Sequence, residues 1–360
     1  MNKGDQQIQT DLAALFEYDG RRGPRFKAVH SGTTIHETGH LASLFMLESA
    51  EMDGTLIPGR QTQPVFVTIA NLDHCPGAEV PAQWMKPFAR LCACLPILVS
   101  LATLIMCGLY GHWYPFFVIL FGMIANGVSC LVIGSATFLF THPEPAAGSP
   151  PGDGILGGEE GVVILKGKEG AVNAITRGRF SLRFESKSVR RSVRAIKLCS
   201  YLLMTQAIAQ LILIPQSPLF GQLMFVLSIA VSWSYNIWLW SFNRDKVQRE
   251  ILMNILHKPC LDKFVLGTRT SMVVFVLLAL KLDDPTTVMN DLLPCDTIVW
   301  REWKTTIVKR LRQGQAFEFD SSDWHDLGLT ADDEEMLQTL FRDAMDAYNG
   351  FRQIHNAIMR

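Results

Sequence analysis

The sequence predicts a mainly α-helical membrane protein: two transmembrane hairpins, four spans with a possible fifth, carrying small cytosolic α/β and helical segments. Three observations support this. Four long apolar runs stand in the chain. They pair across turns too short for anything but a hairpin. Lysine and arginine gather at their outer ends and are absent from the turns. Average composition decides less, since 48% hydrophobic residues also suits a water-soluble chain.

The first run, Leu91 to Tyr110, holds about 20 uncharged residues, the length that crosses ~30 Å of hydrocarbon at ~1.5 Å per residue. Pro115 to Phe140 is the second, Ile196 to Ile214 the third (with Lys197 at its entrance) and Leu219 to Trp240 the fourth. Tyr110, Trp113 and Tyr114 at the first turn, and Trp238 and Trp240 at the end of the last run, are interfacial aromatics.

Orientation follows from charge near the span ends. Lys86 and Arg90 precede the first run; Lys187, Arg190, Arg191, Arg194 and Lys197 lead into the third; Arg244, Lys246 and Arg249 follow the fourth. The positive-inside rule then divides the chain as follows. Residues 1–88 are a polar cytosolic segment and 89–140 the first hairpin. Residues 141–195 form a cytosolic loop with a linker and a small α/β unit. Residues 196–242 are the second hairpin and 243–360 a mainly helical cytosolic region. The first 26 residues hold no apolar core of signal-peptide length, so insertion is expected to start at the first internal run. The open topological question is 264–282: its uninterrupted apolar stretch, Met272 to Leu280, is short for a crossing, and Arg269 stands one turn before it.

Within the spans the polar residues are Asn126, Gln206, Gln210 and Asn236, read as interhelical hydrogen-bonding groups. A polar path for a small transporter or channel subunit is the alternative. Gly122, Ala125, Ser129 and Gly134 mark a small-residue face for close helix approach.

In the loop, THPEPAAGSPPGDG from Thr141 is a linker. Gly161 to Leu165 reads as a strand, Lys168 to Thr176 as one or two helical turns, and Arg179 to Phe184 as a second strand. The glycines from 154 to 170 match neither GxGxxG nor a P-loop, so turn chemistry is their better account. Further on, Val299, Trp303, Ile307 and Leu311 form a stripe at a spacing of four. Thr330-x-x-Asp333 starts a last helix with an apolar face of Met336, Leu337, Leu340, Phe341, Ala344 and Tyr348.

The eight cysteines form no CxxC pair and no zinc-site spacing. A formal net charge of −1 gives no field directed at nucleic acid. The expected partners are the bilayer itself, anionic headgroups at Lys187, Arg190, Arg191 and Arg194, and a protein.

One enzyme-like motif is present. His36-Glu37-Thr38-Gly39-His40 fits HExxH: on a helix, His36 and His40 would share a zinc ion and Glu37 would activate its water. A third ligand is hard to find, because Ser43 and Met46 stand where an extended motif needs Gly and His. The segment also reads as a strand. The leading expectation is therefore no catalytic residue, no metal and no cofactor, with a membrane-tethered zinc protease as the alternative.

The stretch GEEGVVILKGKEGAVNAITRGRFSLRF from Gly158, following a hairpin and a proline-rich linker, resembles fungal multi-pass membrane proteins of unassigned function, over about residues 85 to 350. That resemblance implies a multi-pass architecture and carries over no activity, cofactor or catalytic residue. The reading that results is a non-enzymatic membrane scaffold or partner-binding protein.

Overall fold

The computed structural model describes residues 22–77, 79–81, 94–134, 136–158, 161–184, 189–241, 244–325 and 328–358. In chain order come β1 (Arg25–Ala28), β2 (Thr34–Ile35), α1 (His40–Glu51), β3 (Thr55–Leu56), β4 (Val65–Leu72) and β5 (Glu79–Pro81). Then follow α2 (Cys94–Leu109), α3 (Trp113–Gly134), β6 (Ala136–Thr141), β7 (Gly154–Gly157), β8 (Gly161–Gly167), α4 (Glu169–Thr176) and β9 (Arg179–Phe184). After them come α5 (Val189–Leu213), α6 (Leu219–Trp240), α7 (Arg244–Ile255) and β10 (Cys260–Leu266). The chain ends with α8 (Arg269–Leu280), α9 (Thr286–Leu292), α10 (Ile298–Gln313) and α11 (Ala331–Ile358). These elements form two units. One takes Glu79–Thr141 and Phe180–Ile251; the other takes Arg21–Ala78, His142–Arg179 and Leu252–Arg360.

The first unit is the apolar one. Its four long helices pack as α2 on α3 and α6, and α3 on α5 and α6. Among the described residues, three stretches are long and apolar enough to cross a membrane: Trp113–Val132, Arg194–Gln216 and Leu219–Trp238. The described part of the first expected span, α2, has 16 residues and is shorter; Leu91 to Ala93, with Lys86 and Arg90, lie outside the described residues. Leu104, Val118, Ile119 and Phe225 form a small apolar core between the helices, and small and polar groups add to the contacts. Ser100 and Ser228 share a buried hydrogen bond of 2.9 Å, and Gly122 leaves room for the Gln206 carboxamide, 2.9 Å from where a Cβ would sit. Other large apolar side chains point outward, Leu131 and Leu211 among them. The second run ends earlier than expected. Its last residues, Ala136 onward, leave the helix as β6, which pairs with β5 (Val80 opposite Phe140). β9 completes that three-stranded sheet, so Arg179–Phe184 is a strand, but of this sheet and not of the loop's own α/β unit. Phe180 is buried there and stacks on Phe138 at 5.0 Å.

The second unit corrects the expectation of small separate segments. It is one seven-stranded mixed sheet, ordered β2-β1-β7-β8-β4-β10-β3. β4, from before the first hairpin, runs parallel to β8, from after it, and antiparallel to β10, from after the second. Helices cover both faces, which is why β8 reads VVIL without alternation. Val162 and Ile164 join the core under α8, α10 and α11, while Val163 and Leu165 are buried on the other side, where α1 and α4 pack. The 264–282 run is not a fifth span. β10 ends at Leu266, Thr268 caps α8 by accepting a hydrogen bond from the Ser271 N–H, and α8 is only ~18 Å long. Ten of its side chains are buried, in a core shared with the sheet. In α10, Val299, Trp303 and Ile307 are buried as the stripe predicts, and the Trp303 indole N–H donates to the Leu340 carbonyl at 3.1 Å. Thr330 accepts from the Asp333 N–H and starts α11; Met336, expected on its apolar face, is exposed.

Candidate functional site

The HETGH segment sits where β2 hands over to α1. Thr38 is held back toward β1: its hydroxyl donates to the Pro24 carbonyl at 2.6 Å, and its own carbonyl accepts from Gly23 at 2.8 Å. Gly39 has extended backbone and serves as the N-cap, so the helix begins only at His40. His36 and Glu37 therefore lie exposed in a bend, and Glu37 accepts a 2.9 Å hydrogen bond from Arg22. His40 is buried at the helix start. The shared helical face that a zinc pair would need is not formed. Among the described residues, no group of three His, Cys, Asp or Glu side chains is placed to hold a metal ion. His74 stacks on His257 with ring centres 3.7 Å apart.

The Gly23–Thr38 tie does position something else. Between α1 and the sheet lies a cavity of about 750 Å³, within the usual size range of ligand sites. Phe66 and Thr68 of β4 and Val163 of β8 line it from the sheet; Ser43 and Met46 line it from α1. Among the described residues its charged lining groups are Arg22 and Lys263. The Lys263 ammonium donates to the Ala50 and Met52 carbonyls at 2.7 and 2.8 Å, neutralising the negative end of α1, and stands 4.6 Å from the centre of the Phe66 ring. The arrangement suits a molecule or side chain that is apolar at one end and anionic at the other.

A smaller cavity, about 250 Å³, also borders Gly157 and Gly161 and is lined by Arg25, Lys27, Arg269 and Asp291. Arg25 and Lys27 both engage Asp291, at 2.9 and 3.6 Å. The glycines answer to packing: a Cβ at Gly161 would collide with the Phe66 backbone carbonyl. Gly161 thus answers to close strand approach and not to the turn chemistry expected from the sequence.

Two features had no sequence signal. Asp343 of α11 is buried, and Arg60 reaches it with two hydrogen bonds of 3.0 and 2.7 Å; the Thr270 hydroxyl donates at 2.7 Å. Burial and the neighbouring Asp343 charge hold the Asp346 carboxyl above the usual carboxylate range. Asp343 joins α11 to α8, Asp346 lies beside Gly59, and neither lines a cavity described above. Of the lipid-contact candidates, Arg194 is exposed on α5, whereas Lys187 and the Arg190 and Arg191 side chains lie outside the described residues. Comparison with known proteins found no matching family model, no matching curated protein and no matching solved structure.

Proposed function

We propose that the chain is a non-enzymatic multi-pass membrane protein: four spans anchor a cytosolic α/β domain, which binds a partner at the cavity beside α1. The observation that carries the topology is the seven-stranded sheet. A backbone ladder cannot reach across a bilayer, so β4, β8 and β10 must lie on one side of it. The number of crossings between β4 and β8, and again between β8 and β10, is then even. α5 and α6 supply two. α3 supplies one, and α2, a shorter apolar helix, supplies the other. The basic residues flanking the spans favour the cytosol for the sheet.

Membrane-impermeant maleimide on sealed, oriented vesicles tests the topology. Native Cys260 and Cys295, both exposed, should label from one side only; His112→Cys and Gln216→Cys, at the hairpin turns, should label from the other. Cys260 labelling from the same side as Gln216→Cys would refute four spans. For the binding half, a photoreactive residue at Ser43 should capture one bound species in intact cells, and Met46→Trp, which fills the cavity, should remove it. A cavity that captures nothing in cells would refute it.

A further inference from the structure

One face of α1 is left out of the core of its own unit. Ser43, Met46, Leu47 and Ala50 recur at the i, i+3, i+4, i+7 spacing of a single helix face, and all four line the cavity of about 750 Å³. That face runs for ~10 Å along the helix axis. None of the four is buried, although Met46 and Leu47 are apolar and the adjacent Leu41, Leu44 and Phe45 are fully inside. The facing wall includes Phe66 of β4 and Val163 of β8. β4 is paired by β8 and β10, and β8 by β7 and β4. That wall offers side chains and no open strand edge, so an extended peptide finds no backbone ladder to join there.

A cation stands at one end of this slot. Lys263 is only 8% exposed, and its ammonium sits at the C-terminal end of α1 on the Ala50 and Met52 carbonyls. Those carbonyls take two of its three N–H groups; among the described residues no third acceptor and no carboxylate is placed against it. Two carbonyl dipoles are a partial counter-charge, and a buried ammonium with no anion opposite bears a desolvation cost that an anion would offset. Arg22, the other basic lining group, differs: it is exposed and already pairs with Glu37.

We propose that the slot binds a single-chain fatty acid, its carboxylate on the third N–H of Lys263 and its acyl chain along the Ser43–Ala50 face over Phe66 and Val163. The inference rests on the cavity being a binding site and names its ligand. An acyl chain needs only apolar walls, and a monocarboxylate brings the one negative charge that Lys263 lacks. A peptide would leave backbone amides unpaired here, and a phosphate monoester would bring a second charge without a partner.

The test uses the full chain in phosphatidylcholine nanodiscs and palmitic acid carrying a diazirine on its chain. Light should attach the probe to peptides containing α1 or β4. Excess palmitate should suppress this labelling at least tenfold; methyl palmitate, the same chain without the charge, should suppress it less than twofold. Met46→Trp, which fills the slot, should cut labelling at least tenfold. Lys263→Met should cut it at least fivefold, and Lys263→Arg should restore most of it. The comparison of acid with ester needs no variant, so it decides even where Lys263→Met fails to fold. Equal competition by methyl palmitate, stronger competition by hexadecyl phosphate, or labelling outside α1 and β4 overturns the proposal. So does a peptide captured by the photoreactive residue at Ser43, which leaves the cavity a binding site for another ligand. Capture by neither route removes the binding role and the fatty acid together.

Discussion

α5 and α8 are both apolar helices, yet they are opposite in burial. The Arg194–Gln216 stretch is 6% buried, while ten of the twelve side chains of α8 are inside. The contrast runs through both units. In the helical unit many large apolar groups face outward, and the internal contacts join an apolar cluster of Leu104, Val118, Ile119 and Phe225 with serines, Gly122 and a carboxamide. In the α/β unit Trp303, Phe275 and Phe341 are fully buried and the charges lie mostly outside. An apolar surface of this kind suits a lipid solvent, whereas water selects a buried apolar core. Length alone does not say which of the two an apolar run will meet.

Perturbations can break or sharpen that contrast. The largest effect is expected in the water-facing core: Trp303→Ala removes a fully buried ring and its hydrogen bond to Leu340, and should cost ~3–5 kcal/mol in denaturant unfolding of the α/β unit. Next, Arg60→Leu leaves Asp343 buried without its cation. Because Arg60 is itself part-exposed, the expected loss is ~2–3 kcal/mol, read in the same titration. In the bundle the rule inverts, and adding bulk inside does the damage: Gly122→Leu drives a side chain into Gln206 and should cost about 1–2 kcal/mol against detergent-induced helix separation. An exposed Leu211→Ala in the same assay should change little.

The smallest effect depends on pH. Folding raises the Asp346 pKa, through burial first and Asp343 second, so the folded state binds the proton more tightly than the unfolded state does. Stability is therefore greater below the ordinary carboxylate range and falls as pH rises toward the folded pKa. Asp346→Asn should raise Tm at pH 7 and leave it unchanged at pH 3.

Much of the helical unit was legible because a charge-free run of about 20 residues has few destinations. The boundary at Gly134 was missed because ATFLFT is as apolar as the span before it; only pairing with β5 distinguishes them. The sheet was hidden for a different reason. Its partners lie far apart in sequence, across two hairpins, and β4 was absorbed into a segment read as merely polar. Phe264 to Leu282 looked like one interrupted helix because Gly267 and Thr268, which end a strand and cap a helix, are two ordinary residues in an apolar run. At HETGH the decisive signal was Gly39 just before HLASLF, a helix start that separates the two histidines. The cavity depends on Lys263 reaching the end of α1, a contact no local pattern encodes.

The claim underneath all this is that residues before the first hairpin and after the second share one sheet. Asn71 and native Cys260 are directly opposed in the β4–β10 ladder, at the separation antiparallel partners keep. In intact membranes, Asn71→Cys should form a disulfide with Cys260 under mild oxidation, recovered as a linked peptide that Cys260→Ser abolishes. If the linked peptide never forms although both thiols label freely, the two segments do not meet, and the shared sheet is refuted.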